Sequence, residues 1–198
     1  METFMRQLGL LLVVNEPPAT MEEELNAWYD TEHIPERLSI DGFMSASRHM
    51  STTRARRYLA LYDLTEVAVL QSAGYMAFVG ERFTPWTRRI LSRTKVTRIE
   101  AVQTYPGDAL LVAAPRHLIL RWSGVGDGAL ADIEAGAKRC FLGKPGVTQL
   151  RVFAGSGADA GSAFAIVAGT TKLETLLDSD ASNGLAKHLG VIESYAPY

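Results

Sequence analysis

One order of secondary-structure elements runs through this chain twice, and that duplication limits the possible folds more than any single motif does. In the first half, strands are expected over residues 9–15, 43–50, 57–64 and 95–105, the third carrying Tyr58, Ala60 and Tyr62 on one face. Helices are expected over 21–34, briefly over 67–72, and from Thr84-Pro85 to about Ser92. From His117 the series restarts, with strands over 117–122, 147–153, 163–169 and 191–195, helices over 129–142 and 173–189, and a glycine-rich turn over 155–161. Short stretches correspond at equivalent points: Asp41-Gly42-Phe43 with Pro145-Gly146-Val147, and Val102-Gln103-Thr104-Tyr105 with Ile192-Glu193-Ser194-Tyr195.

Each series reads βαββαβ, a ferredoxin-like unit that lays both helices on one face of a four-stranded antiparallel sheet. The other face is left partly apolar, so two such faces must cover one another. The fold class expected is therefore α+β: tandem repeats, residues 1–106 and 107–198, packed as a pseudo-dimer or curled into an eight-stranded barrel with a central cavity between the halves. Residues 107–115 form the connection, with an apolar core at Ala109-Leu110-Leu111-Val112-Ala113-Ala114 that is able to pack. An incompletely closed barrel would leave sheet edges for oligomerisation, so a monomeric pseudo-dimer and a homodimer are both expected possibilities.

The halves differ chemically. The run from Trp28 to Leu38 gathers ionisable and aromatic residues around His33, whereas aligning the first helices places Phe141 opposite His33 and Gly136 opposite Trp28. One pocket is expected rather than two. Thr20-Met21-Glu22-Glu23 has the form of a capping box, three glutamates suit the first turn, and Met21, Leu25, Trp28 and Tyr29 make an apolar stripe. At about 100° per residue, Glu32 falls near the middle of that stripe and His33 beside it. Pro35 is expected to end the helix, which puts His33 in the last turn, where carbonyls and nearby carboxylates favour its cation and burial opposes it. Such a histidine suits acid–base work; equally, it could cap the helix while Glu32 pairs with Arg37 or another arginine.

Other features exclude more than they suggest. With 47% hydrophobic residues among 198, the chain has ample material for a core, and no apolar run approaches the ~20 residues of a membrane span. No signal-peptide layout is evident, so a cytoplasmic location is expected. Cys140 is the single cysteine and reads as a small buried hydrophobe, and His33, His49, His117 and His188 lack metal-ligand spacing, so no metal is expected. Neither half is basic overall, which disfavours nucleic acid, and the arginine clusters at 54–57 and 82–98 read as solvated surface. Gly155-Ser156-Gly157 lacks the lysine of a phosphate loop. Tyr75, Phe78, Phe83 and Trp86 make a loose aromatic set, either core or pocket lid.

The run Trp28-Tyr29-Asp30-Thr31-Glu32-His33-Ile34-Pro35-Glu36-Arg37, followed by Gly42-Phe43, Arg48, Tyr58-Leu59-Ala60-Leu61-Tyr62 and Trp86-Thr87, resembles the dimeric α/β barrel superfamily, in particular the EthD family and its uncharacterised relatives. The resemblance covers about the first 105 residues by motif and the second half by element order. Asp41 stands where relatives commonly carry proline before Gly-Phe, and here two repeats are fused. The resemblance implies a hydrophobic pocket inside each repeat with His33 lining it. The superfamily includes cofactor-free monooxygenases, muconolactone isomerases, polyketide cyclases, dehydratases and haem-binding or haem-degrading proteins.

Three functions are therefore expected in competition. The first is cofactor-free proton transfer on a small apolar, aromatic or lactone-bearing substrate, as an isomerase, cyclase, dehydratase or lyase. His33 would shuttle the proton, Glu32 would tune it, and Trp28, Tyr29, Arg48, Tyr58, Tyr62 and Trp86 would line or hold the substrate. The second is oxygen chemistry in the same pocket, either cofactor-free or haem-linked with His33 as axial ligand. The third is a non-catalytic protein that binds a small ligand or supports an assembly.

Overall fold

Alternation along the strands builds a barrel with two kinds of core. In the computed structural model, which describes residues 7–126, 128–178, 185 and 189–198, β1 (Gly9–Glu16) is followed by α1 (Glu22–Trp28) and α2 (Ile34–Leu38), β2 (Phe43–Ser51) and β3 (Tyr58–Leu64). Short helices α3 (Ala73–Met76) and α4 (Pro85–Leu91) lead to β4 (Lys95–Tyr105). The second series is β5 (Arg116–Ser123), α5 (Ala129–Phe141), β6 (Val147–Gly155), β7 (Ser162–Gly169) and β8 (Leu189–Pro197). The helix expected over 173–189 is a 3₁₀ turn at Leu173–Asp178, and most of the remainder lies outside the described residues.

All eight strands close into one antiparallel barrel in the order β1-β3-β2-β8-β5-β7-β6-β4. Each half contributes the same internal order, β4-β1-β3-β2 and β8-β5-β7-β6, and the seams β2–β8 and β4–β6 join equivalent strands under a pseudo-two-fold relation. Closure leaves no strand of the barrel with a free edge, which corrects the expectation of oligomerisation through leftover sheet edges.

The predicted correspondence between Gly42 and Gly146 is a real structural equivalence. Both have positive φ, both carbonyls accept from the residue just after the neighbouring strand (Thr65 N at 2.9 Å, Thr170 N at 2.8 Å), and a register shift follows in each case, at Phe43/Ser45 and Val147/Gln149. Asp41 in place of proline leaves that turn unchanged.

Leu10, Leu12, Leu59, Leu61, Ile99, Phe153, Phe164 and Ile166 point into the barrel and fill it. A void between the halves was expected, but an eight-stranded barrel is just wide enough for side chains to meet. On the outside, Tyr58, Ala60, Tyr62 and Leu64 face the first helix layer together with Met21, Leu25, Trp28 and Tyr29. Trp122, Ile133, Ala137, Phe141, Leu150 and Val152 do the same in the second half, and Cys140 is buried among them. No described helix is long and apolar enough to cross a membrane.

The connection packs, as its apolar core suggested. Leu111 lies against the barrel core, Asp63 accepts from Leu111 N at 2.9 Å, and Gln103 bonds the backbone of Gly107 and Ala109. Inside that mouth, Arg151 Nη1 meets Asp63 Oδ1 at 2.6 Å, with both side chains excluded from solvent.

Candidate functional site

The first helix departs from the expected geometry in three ways, and each shapes the site. It opens with a 3₁₀ turn at Ala19–Met21 whose cap is Pro18, so Thr20 lies inside the turn and no capping box forms. It does not stop before Pro35. A π turn at Tyr29–His33, closed by Ile34 N donating to Tyr29 O, widens the coil ahead of the proline, and the chain continues as α2 to Leu38. His33 is therefore mid-helix and not beside unpaired terminal carbonyls.

The π turn also changes which residues share a face. Trp28 and His33 are five apart, about 140° around an ordinary α-helix; a turn closed by an i→i+5 bond brings the fifth residue round above the first. The two rings stack, with centroids 4.1 Å apart and planes at 27°. Tyr29 meets the imidazole edge-on at 5.2 Å, and Tyr62 does so at 6.4 Å.

Glu32 is placed away from this group. Its Oε1 accepts from Thr84 Oγ1 (2.6 Å), Thr87 Oγ1 (3.0 Å) and Trp28 Nε1 (3.2 Å), which ties the first helix to the start of α4. It pairs with no arginine among the described residues, and it meets His33 through the indole that it fixes. Arg37 instead meets Glu36 at 3.0 Å and the Phe78 carbonyl at 3.3 Å.

His33 lines a cavity of about 150 Å³ between the helix layer and the outer face of β1. Leu11, Val13 and Asn15 form its floor, Trp28, Tyr29 and Arg37 one wall, and Tyr75, Val79 and Phe83 the other. A void of this size accommodates a benzene-sized molecule. Of the expected aromatic lid, Tyr75 and Phe83 line the void while Phe78 and Trp86 pack against the core. Tyr29 accepts a 2.7 Å hydrogen bond from Asn15 Nδ2, and burial pushes its pKa up to about 12.

The other expected residues sit behind that wall. The Arg48 guanidinium lies 4.4 Å from the Tyr29 ring centroid and 5.4 Å from that of Tyr58, and it donates to Asn26 Oδ1 at 2.7 Å. Tyr58 donates to Glu22 at 2.5 Å near the start of the helix, away from the void. Tyr62 is fully buried, and its hydroxyl meets no partner at hydrogen-bonding geometry. Four of the eight expected residues thus gather around the imidazole: His33, Trp28, Tyr29 and Tyr62. Arg48 acts on them from behind, while Glu32, Tyr58 and Trp86 face elsewhere.

Electrostatics reverse the expectation for His33. Burial first, then the charges of Arg37 and Arg48, hold its pKa well below the ordinary value, so the ring is neutral at neutral pH. Its Nδ1 is closed off from solvent and unpartnered, as is Arg37 Nη1. Arg37 was missed as a site residue because ending the helix at Pro35 hid its position four residues beyond His33. Asn15 was missed because a polar residue closing an apolar strand carries no signal of what it faces.

No protein-family model matches the chain, and a search of curated proteins finds no match. Among solved structures it is similar to an anthrone oxidase-like protein, with a TM-score of 0.68 at 11% identity over 98% of this chain and 92% of that one. It is also similar to a candidate monooxygenase from Lactobacillus acidophilus NCFM (0.57, 8%, 97% and 93%) and to a variant of the chlorite dismutase from Candidatus Nitrospira defluvii (0.59, 9%, 97% and 92%). The chain has the fold of a dimeric α/β barrel, with both repeats in one chain. In the second repeat Phe141, which aligns with His33, is fully buried in the helix-side core.

A haem group does not fit this site. The void lies well below the roughly 300 Å³ at which pockets for drug-sized ligands begin, and one face of His33 is covered by Trp28.

Proposed function

We propose that the helix-side cavity of the first repeat binds a small enolisable or phenolic molecule of about one ring and oxidises it with molecular oxygen, without a cofactor. The observation that carries this reading is a neutral imidazole with an unpartnered Nδ1 on the wall of an apolar void, within the field of Arg37 and Arg48. His33 removes a proton from the substrate's O–H or activated C–H group. Arg37, through its free Nη1, and Arg48, through its field across Tyr29, stabilise the anion left behind. The electron-rich anion reduces oxygen, and a methylene becomes a carbonyl with release of water: CH₂ plus O₂ gives C=O plus H₂O. The fold shared with an anthrone oxidase-like protein and a candidate monooxygenase supports oxygen over other electrophiles.

Isomerisation shares the first step and differs only in what the anion meets next. Oxygen uptake with a panel of single-ring compounds that carry an enolisable ring methylene, such as cyclohexane-1,3-diones, run beside anaerobic deuterium exchange, separates the two. Uptake that is lost in both His33→Ala and His33→Asn supports the oxidase reading. Exchange and product formation under argon would move the assignment to an isomerase, and binding with neither would leave a ligand-binding protein. The acid limb of kcat/KM is expected below pH 6.5, because the base is held neutral there.

A further inference from the structure

A second cavity lies at the mouth of the barrel, away from the His33 site. It measures about 240 Å³ and is bounded by Ser45, Ser47 and His49 of β2, by His117 of β5, by Pro197 of β8, and by residues 111–114 of the connection. His49 and His117 are 3% and 2% exposed, their rings are 4.3 Å apart, and Nδ1 of each is buried without a partner. Two buried polar side chains left incomplete beside the same void are costly unless something completes them.

The lining describes the missing group. No carboxylate lines the cavity among the described residues, and Asp63, which bonds the lining residues Ser45 and Leu111, is also engaged by Arg151. The polar edge consists of imidazoles, hydroxyls and Arg48, while Ala46, Leu111, Val112, Ala113, Ala114 and Pro197 make the rest apolar. Arg151 adds positive potential, since its Nε and Nη2 are also unpartnered. An entering cation would meet that field unfavourably, and an anion with a short apolar tail would meet it well.

We propose that this cavity is a binding site for a small monocarboxylate, whose head group lies between His49 and His117 and whose tail lies along residues 111–114. Binding takes up one proton, shared between the carboxyl and the histidine pair, because a neighbouring anion removes the penalty for charging a buried imidazole. Both rings are neutral without it: burial and the facing His117 hold His49 at about 3, and burial and Arg151 lower His117. The charged and titratable groups around the pair are Arg48 from β2, Arg151 from β6, Asp63 from β3, and Tyr195 of β8, which donates to Glu193. The connection over 109–115 contributes no titratable side chain.

Acetate, propionate and butyrate titrated into the full chain by calorimetry, in buffers of different ionisation enthalpy, test the proposal. Affinity is expected to rise from acetate to butyrate and to increase about tenfold per pH unit between about pH 7.5 and 5.5, with close to one proton taken up. His49→Gln should abolish the pH dependence, and Ser47→Leu, which fills the void from a partly exposed position, should abolish binding. The proposal is overturned by no binding at millimolar acid, by butyramide binding as tightly as butyrate, or by binding that survives both substitutions unchanged. Neither Ser47 nor His49 lines the His33 cavity, but Arg48 between them serves both sites, so oxygen uptake is measured on the same variants, and unchanged uptake beside lost acid binding separates this proposal from the oxidase reading.

Discussion

The indole of Trp28 lies flat against the imidazole of His33, 4.1 Å between centroids, and its N–H is held by Thr87 and Glu32 at 3.1 and 3.2 Å. The orientation of the candidate base is thus set from the start of α4, through a ring that is itself 1% exposed.

Glu32 is expected to act as a structural acceptor. Glu32→Ala removes the acceptor of the Thr84 and Thr87 hydroxyls and one of the two acceptors of Trp28 Nε1, and should cost about 1.5–3 kcal/mol in urea unfolding, whereas Glu32→Gln keeps a carbonyl acceptor and should stay within about 1 kcal/mol of the parent. Loss of turnover in a stably folded Glu32→Gln would show that the charge, and not the position, is what matters.

Acid should destabilise the fold through its neutral histidines. His33, His49 and His117 all have folded pKa values below the unfolded value near 6.5. Above about pH 6.5 neither state binds these protons and stability is unaffected; below it the unfolded chain takes them up first, so stability falls as pH falls. Each group costs roughly 1.4 kcal/mol per pH unit until its folded pKa is reached. Urea midpoints should be flat above pH 7.5 and fall below 6.5, with a shallower fall in His49→Phe.

The Asp63–Arg151 pair offers a sharper test. Asp63→Ala leaves a fully buried guanidinium without its counter-ion and is expected to cost about 3–5 kcal/mol, while Asp63→Leu combined with Arg151→Met should recover most of that loss. Denaturant unfolding of the two variants measures the difference. Equal loss in both would mean that the connection, and not the charge, carries the cost.

Gly42→Ala and Gly146→Ala should each destabilise the fold by at least about 1–2 kcal/mol, from positive φ alone. Crowding adds to this, since a Cβ would lie 2.4 Å from Val69 Cγ2 at Gly42 and 2.5 Å from Thr171 Oγ1 at Gly146. Similar shifts in Tm at the two positions would confirm their equivalence energetically.

Deleting exposed Thr31 should close the π turn into an ordinary α turn while keeping His33 over Trp28, because the two then stand four residues apart, about 40° around the helix. A retained circular-dichroism spectrum and an unchanged His33 ring shift are expected. A displaced ring shift would show that the stack depends on the extra residue.

The amino-acid order by itself determined the strands, their duplication, the glycine turns and the apolar stripe, because periodicity and backbone freedom are local properties. The βαββαβ series, the Thr84 cap that accepts from Thr87 N and the packing of the connection were all legible in this way. Tertiary structure alone decided that the barrel closes and fills, that Pro35 is absorbed by a π turn, and that Glu32 turns to Thr84 while Arg37 turns to the cavity. It also decided the charge of His33, since acidic neighbours in the chain favour the cation while burial beside Arg37 and Arg48 removes it. Desolvation and through-space charge depend on what the fold brings near, and the nearest charges here come from a helix continuation and from a strand fifteen residues on.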